Sequence, residues 1–156
     1  MELEDIIGFK SSSKIGQELN KYGIVKTFKE GDIILKENAY IKSIPIVIKG
    51  AIRVMQTDDE EREILLYYIQ AGESCIMSFL GGMHQDTSKI KAIAEENSEV
   101  LFIPIDKIGY LIKEYPEWLD YIFRLYHKHF EDLLEVVNEK KKKKMDARIL
   151  SWIKMK

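Results

Sequence analysis

One segment, Gly72 to Ala92, combines residues suited to holding a ligand with a composition unlike that of its neighbours. It begins with Gly72-Glu73-Ser74, and its polar end carries Thr87 and Ser88. A carboxylate accepts hydrogen bonds, and hydroxyl groups both donate and accept them. Two interpretations are open: a loop with a short helix that binds a ligand, or a long corner of a β-barrel.

Cysteine and histidine, the usual residues of redox and metal chemistry, are scarce in this chain. A single cysteine, Cys75, excludes an internal disulfide and clusters held by several cysteines. It stands in an apolar run, which predicts a buried small side chain. His127 and His129 are two residues apart on a predicted helix and point to different faces, which argues against a joint metal site. A metal-dependent barrel enzyme would need histidines on its strands, and none of the three histidines is on a predicted strand, so we expect no enzyme and no metal.

The composition is that of one compact domain with an appendage: 156 residues, 46% apolar and 32% charged. No apolar run approaches the roughly 18 residues that a membrane span needs, and the N-terminus lacks the plan of a signal peptide. These features predict a cytoplasmic protein.

The net charge of −2 is unevenly distributed along the chain, because residues 139–156 hold eight Lys or Arg and two acids. The C-terminal end is therefore the only part with the charge to bind DNA.

Hydrophobic periodicity predicts a β-rich body preceded by a short helix. Ser11 to Gly23 follows a helical pattern with a start and a stop signal. Short strand-like segments then recur about every 8–12 residues, as in a sandwich or barrel. Pro45 falls within one of them, which is awkward unless that strand lies at an edge or begins there. After Pro104 closes the β region, Asp106 is predicted to cap a short helix.

A much longer helix is predicted from Pro116, a residue that suits the first turn. Its apolar residues recur at steps of three and four and form a heptad seam: Leu119, Phe123, Tyr126, Phe130, Leu133 and Val137. The helix either packs wholly on its own domain or buries a second flank against another copy, and the seam favours a homodimer. The lysines at 140–144 predict a solvated end or hinge, with direct DNA contact as the alternative. Asp146 is a candidate cap for a further amphipathic segment, which the end of the chain cuts short.

The order of these parts resembles the Crp/Fnr family of bacterial transcription regulators. Four motifs carry the resemblance, which covers the chain from about residue 24 onwards: the Gly-Asp turn at Phe28–Asp32, the hairpin at Val47–Val54, the cassette start Gly72-Glu73-Ser74, and the Asp146–Leu150 entry to a DNA-binding domain. The resemblance implies a mainly β fold with flanking α-helices, an eight-stranded double-stranded β-helix or jelly roll. It further implies an effector-sensing domain over residues 1–115, a dimerisation helix over 116–144 and the truncated start of a helix-turn-helix domain over 145–156.

The resemblance also implies what the Gly72 to Ala92 segment does. In relatives that bind cyclic nucleotides, amides at the N-terminus of a short helix hold the cyclic phosphate, a Glu binds the ribose hydroxyl, and an Arg neutralises the phosphate. Glu73 matches that Glu, and the implied cassette-like site is Gly72, Glu73, Ser74, Cys75, Thr87 and Ser88. The Arg position falls on or near Asp86. An acid there repels a phosphate by about 1–4 kcal/mol at about 4 Å, and Lys89 or Lys91 would replace the Arg only as a point charge.

The sequence therefore predicts the sensor and dimerisation part of a Crp/Fnr-like regulator, with an unknown small-molecule effector. DNA would be bound only through a helix-turn-helix domain missing from this chain. A cyclic nucleotide is not the expected effector, because the cassette Arg is absent. Two alternatives remain: a haem- or gas-sensing regulator of the same family, with His84 either an axial haem ligand or an exposed loop residue, and a stand-alone cyclic-nucleotide-binding module.

Overall fold

Seven strands form two antiparallel sheets in the computed structural model, which describes residues 14–84 and 86–154. The strands are β1 (Ile24–Phe28), β2 (Ile33–Leu35), β3 (Ser43–Lys49), β4 (Ala51–Thr57), β5 (Glu63–Gln70), β6 (Lys91–Ala94) and β7 (Ser98–Pro104). The helices are α1 (Lys14–Tyr22), α2 (Ile76–Met83), α3 (Ile105–Glu114) and α4 (Pro116–Lys154). One sheet has the order β1-β7-β3 and the other β2-β6-β4-β5. The predicted start of α1 at Ser11 lies outside the described residues.

The core is built from the inward-facing residues of both sheets, since side chains alternate between the faces of a strand. Fully buried members come from both sheets and from the helices that flank them: Ile44, Ile46, Ile52, Val54, Ile103, Leu19, Ile108, Leu111 and Trp118. This arrangement confirms the predicted mainly β fold with flanking helices. None of the helices in the described part of the chain combines the length and apolar character of a membrane span.

Strand β3 lies at the edge of its sheet, one of the two positions that Pro45 allowed. It pairs with β7 on one side. On its other side lies the turn that follows β5, which forms two backbone hydrogen bonds with Val47. Proline has no N–H to donate, so this position is tolerated only where the strand lacks a full neighbour.

The predicted N-cap at Asp106 was wrong. Helix α3 begins at Ile105, and Pro104 occupies the cap position without a side-chain cap hydrogen bond. Strand β7 runs directly into α3, so no residue is left between them to act as a polar cap. Asp106 instead lies in the first turn of α3, where a negative charge still favours the helix dipole.

Helix α4 is 39 residues long and continues without a break through Asp146 to Lys154. The expected cap at Asp146 is therefore absent, because the lysine run is composed of good helix formers and contains no Gly or Pro. One flank of α4 packs on the body formed by the two sheets, called the β-roll below, with Trp118, Ile122 and Leu125 buried. This flank brings α4 alongside β5 and the turn that follows it.

Candidate ligand site

The turn after β5 is fixed to the edge of β3 by its backbone. Gly72 has a φ of 86°, in the left-handed region that glycine adopts without strain. Its N–H donates to the carbonyl of Val47 at 2.8 Å, and the N–H of Val47 donates to the carbonyl of Glu73 at 2.9 Å. The Gly-Glu pair therefore positions the Glu73 side chain at the point where β3, β5 and α4 meet.

Ser74 and Cys75 lie deeper and contact protein groups. The Ser74 hydroxyl donates to the carbonyl of Pro45 at 2.6 Å, and both residues of the pair Ser74–Cys75 are buried. The N–H of Ser78 in α2 donates to the Cys75 sulfur at 3.4 Å. The Cys75 sulfur also lies 3.4 Å from the hydroxyl of Tyr67. The prediction that Cys75 is a buried small side chain is confirmed, and both residues hold the turn against the roll.

Glu73 accepts hydrogen bonds from two protein groups and lies near a third. Its Oε1 accepts a hydrogen bond from the N–H of Gln70 at 2.8 Å, and its Oε2 contacts Nζ of Lys128 in α4. Nε2 of His129 lies 3.9 Å from Oε1. Partial burial raises the pKa of Glu73, but His129, Lys128 and the Gln70 amide outweigh it and lower the pKa to about 2. Glu73 is therefore an ionised acceptor held by the long helix.

His129 is fully buried, and its ring stacks on that of Tyr67 with the centroids 4.3 Å apart. Neither of its ring nitrogens has a hydrogen-bond partner among the described residues. His127, by contrast, is exposed and pairs with Glu131. The two histidines point to different faces, as predicted, and the described residues contain no group of three side chains able to hold a metal ion.

A second helix residue contacts the turn. The hydroxyl of Tyr121 donates to the carbonyl of Gly72 at 2.6 Å. Burial raises the pKa of Tyr121, and the charge of Glu73 adds to this effect. Tyr121 is therefore protonated and a permanent donor to the turn.

The distal cassette residues have different surroundings. The buried Ser88 hydroxyl donates to the carbonyl of Ile90 at 2.7 Å and accepts from the N–H of the same residue at 3.2 Å. Thr87 is half-buried and forms an isolated β-bridge with Tyr40. The Ser88 hydroxyl is thus already hydrogen-bonded to the backbone of Ile90. Of the two predicted site residues at this end, Thr87 is the one that remains partly accessible.

The exposed Asp86 lies where the cassette Arg was expected. It lines a surface cleft of about 170 Å³ with Met77, Gly81, His84, Thr87 and Lys89. His84 is exposed there. Lys91 forms an ion pair outside this cleft, since its Nζ donates to Glu63 at 2.8 Å. Lys89 is therefore the cation beside Asp86 in this cleft.

The roll interior encloses a small apolar cavity next to Cys75. Its volume is about 40 Å³, and its lining includes Ile52, Ile69 and Phe102. Pockets for small molecules typically measure about 300–1,000 Å³, whereas a cavity of this size suits about one water. A ligand of nucleotide size does not fit within this cavity.

Residues 25–115 match the model of the family described as "Cyclic nucleotide-binding domain". The chain belongs to this family. A comparison with curated protein sequences found no match.

Solved structures of regulators share the fold. A mutant of CooA from Carboxydothermus hydrogenoformans is 16% identical, with 98% of this chain and 94% of that chain covered and a TM-score of 0.74. A transcriptional regulator of the Crp/Fnr family from Eubacterium rectale is 23% identical, covering 90% and 65%, with a TM-score of 0.71. The regulator CLP from Xanthomonas campestris is 18% identical, covering 80% and 61%, with a TM-score of 0.71.

These identities show a common fold and leave function to be argued from the site. The chain spans 54 to 61% of the length of three of the structures to which it is similar. The recognised family and the described fold agree with the resemblance found in the sequence.

The contacts of Glu73 with α4 were not foreseen from the sequence. Lys128 and His129 follow Glu73 by more than fifty residues, and no local motif links them to the turn. The one available signal was that His129 falls on the flank of α4 beside the predicted seam, with the apolar residues Trp118, Ile122 and Leu125. A histidine on a buried flank indicates a polar neighbour.

Proposed function

We propose that this chain is the sensor and dimerisation part of a Crp/Fnr-like transcription regulator in the cytoplasm. A small molecule bound at the cassette turn alters the position of α4, and α4 transmits the change to DNA-binding domains that follow it in a longer protein. The observation that carries the proposal is the direct contact of Glu73 with α4. A ligand that binds Glu73 therefore acts directly on the contact between the turn and the helix.

The two flanks of α4 support a homodimer. Trp118 and Leu125 are buried against the roll, while Phe123 and Phe130 on another flank are 63% and 51% exposed. The other exposed members of the predicted seam are Leu119, Tyr126 and Val137. Leu133 departs from the prediction, because it packs in part against its own core. An apolar stripe of this kind is typical of a coiled-coil interface, since it repeats at heptad spacing.

The solved structures of similar regulators carry different effectors in their descriptions. CLP is described as responsive to cyclic di-GMP, and CooA as a CO-dependent transcription factor. Members of this fold thus take different signals, and the resemblance implies that the phosphate-binding Arg position falls on or near Asp86 in this chain. We propose an effector that donates a hydrogen bond to Glu73 and does not depend on a bidentate phosphate contact.

A thermal-shift screen tests the ligand proposal. Cyclic AMP, cyclic GMP, cyclic di-GMP and small anions are added to the wild type and to Glu73→Ala, and an absorption spectrum of the purified protein reports haem. We expect a binding compound to raise the Tm of the wild type and to lose that effect in Glu73→Ala. A Soret band would replace this proposal with haem-based sensing. A compound that shifts both proteins equally would place its site away from Glu73.

A further inference from the structure

The turn and the long helix are joined by three side chains that lie on one side of α4. Tyr121 contacts the carbonyl of Gly72, and Lys128 and His129 contact Glu73. Positions separated by seven and eight residues fall on the same helix face. Two turns of α4 are therefore connected to two consecutive residues of the cassette.

Lys128 and His129 differ in how they can respond when a ligand binds the Glu73 carboxylate. The Lys128 side chain is 48% exposed, so its ammonium group can move into water at little cost. His129 is fully buried, and Glu73 is the polar group that its Nε2 faces. The His129 ring nitrogens already lack a hydrogen-bond partner in the described part of the chain, so the Glu73 carboxylate 3.9 Å away is the polar group that offsets part of their burial cost. Loss of that carboxylate therefore favours a rearrangement of the helix turn that carries His129.

We propose that Lys128 is an internal competitor for Glu73, and that a ligand which displaces it releases the His129 turn of α4 from the β-roll. This inference rests on the proposed function, and it identifies how the site is regulated. In the ligand-free protein, Lys128 satisfies Glu73 and holds α4 in place. A ligand donor takes over the carboxylate, Lys128 turns to solvent, and His129 loses its polar neighbour. The adjacent Phe130 moves with that turn, so the signal reaches the exposed seam.

The coupling is specific to this pair of helix residues. The exposed Arg124 pairs with Asp120 within α4 itself, so its charge does not link the helix to the roll. Glu63, at the other end of β5, pairs with Lys91 of β6. These two ion pairs supply matched controls, because neither of them connects α4 with the cassette turn.

Hydrogen–deuterium exchange of the whole chain tests the inference without a ligand. Glu73→Gln removes the negative charge that holds Lys128 and so imitates the release of Lys128 that a ligand would cause, and Lys128→Met removes the competitor. We expect Glu73→Gln to accelerate amide exchange in residues 121–133 by about fivefold, as loss of a partly buried ion pair implies. Lys128→Met should show a smaller acceleration, because His129 keeps its neighbour, and Lys128→Arg should restore wild-type exchange.

The double variant Glu73→Gln/Lys128→Met should match Glu73→Gln alone, since both changes remove the same contact. Arg124→Met and Glu63→Gln should exchange in α4 as the wild type does. Changes confined to residues 70–75 in Glu73→Gln would overturn the inference, as would additive effects of the two substitutions. Either result would leave the ligand screen and the dimer to be decided by their own measurements, so the failure of the two proposals can be told apart.

Discussion

Replacement of Glu73 by glutamine should lower the free energy of unfolding at neutral pH. It should also make the free energy of unfolding less sensitive to a fall in pH. The pKa of Glu73 is lowered from an ordinary value of 4.5 to about 2. A lowered folded-state pKa gives stability that is complete above the unfolded value, near 4.5, and is lost as the pH falls from there towards 2. The difference corresponds to at most about 3 kcal/mol. Because Lys128 is half exposed, solvent screening reduces the expected contribution to about 1–2 kcal/mol.

Urea denaturation of the wild type and Glu73→Gln at pH 7, 5, 4 and 3 measures this contribution. The difference in unfolding free energy between the two proteins should be largest at pH 7 and 5 and should shrink towards pH 3, where Glu73 in the wild type becomes protonated in the unfolded state. Glu63→Gln, which removes an exposed pair with Lys91, is the matched control and should show little change at pH 7. A difference below about 0.5 kcal/mol at pH 7, or one independent of pH, would refute the assignment of the low pKa to this site.

Three further substitutions test other parts of the site. Tyr121→Phe leaves the Gly72 carbonyl without its buried donor and should cost about 1–3 kcal/mol in urea denaturation, whereas Tyr40→Phe, at an exposed position, should cost almost nothing; equal effects would contradict the role of the hydroxyl. Ser74→Ala removes the hydrogen bond to the Pro45 carbonyl and should lower stability by about 1 kcal/mol, and an unchanged midpoint would show that this contact does not hold the turn. Asp86→Arg supplies a guanidinium group on or near the position where the family resemblance implies an Arg, and it should increase the thermal shift caused by cyclic AMP. No increase would refute the interpretation that Asp86 disfavours phosphate.

The parts of the fold that local chemistry determines could be predicted from the sequence. Alternating patterns located the strands, and β3 lies at an edge, one of the two positions that the missing N–H of Pro45 allowed. The cap at Asp106 was wrong because strand β7 passes directly into α3. The expected cap at Asp146 failed because helix propensity continued through the lysine run.

The contacts of the site depend on tertiary structure and were harder to predict from the sequence. Glu73 was singled out from its motif, but its partners Lys128 and His129 are brought to it only by the packing of α4 along β5. Ser88 has the residue type of a ligand contact, yet its hydroxyl is bound to Ile90 in its own segment. Side-chain type and spacing thus identify candidates, while the hydrogen bonds already formed decide which of them remain available to a ligand.

Sedimentation equilibrium tests most directly the claim that α4 joins two sensor domains along its exposed seam. The wild type should sediment at twice the chain mass of 18.3 kDa at micromolar concentration, and Phe130→Asp should sediment as a monomer, because a charge at the seam cannot be buried without a partner. Arg124→Ala, on an exposed part of the same helix, should remain dimeric. A wild type that sediments as a monomer, or a Phe130→Asp variant that stays dimeric, would contradict the assignment of α4 as the dimerisation helix.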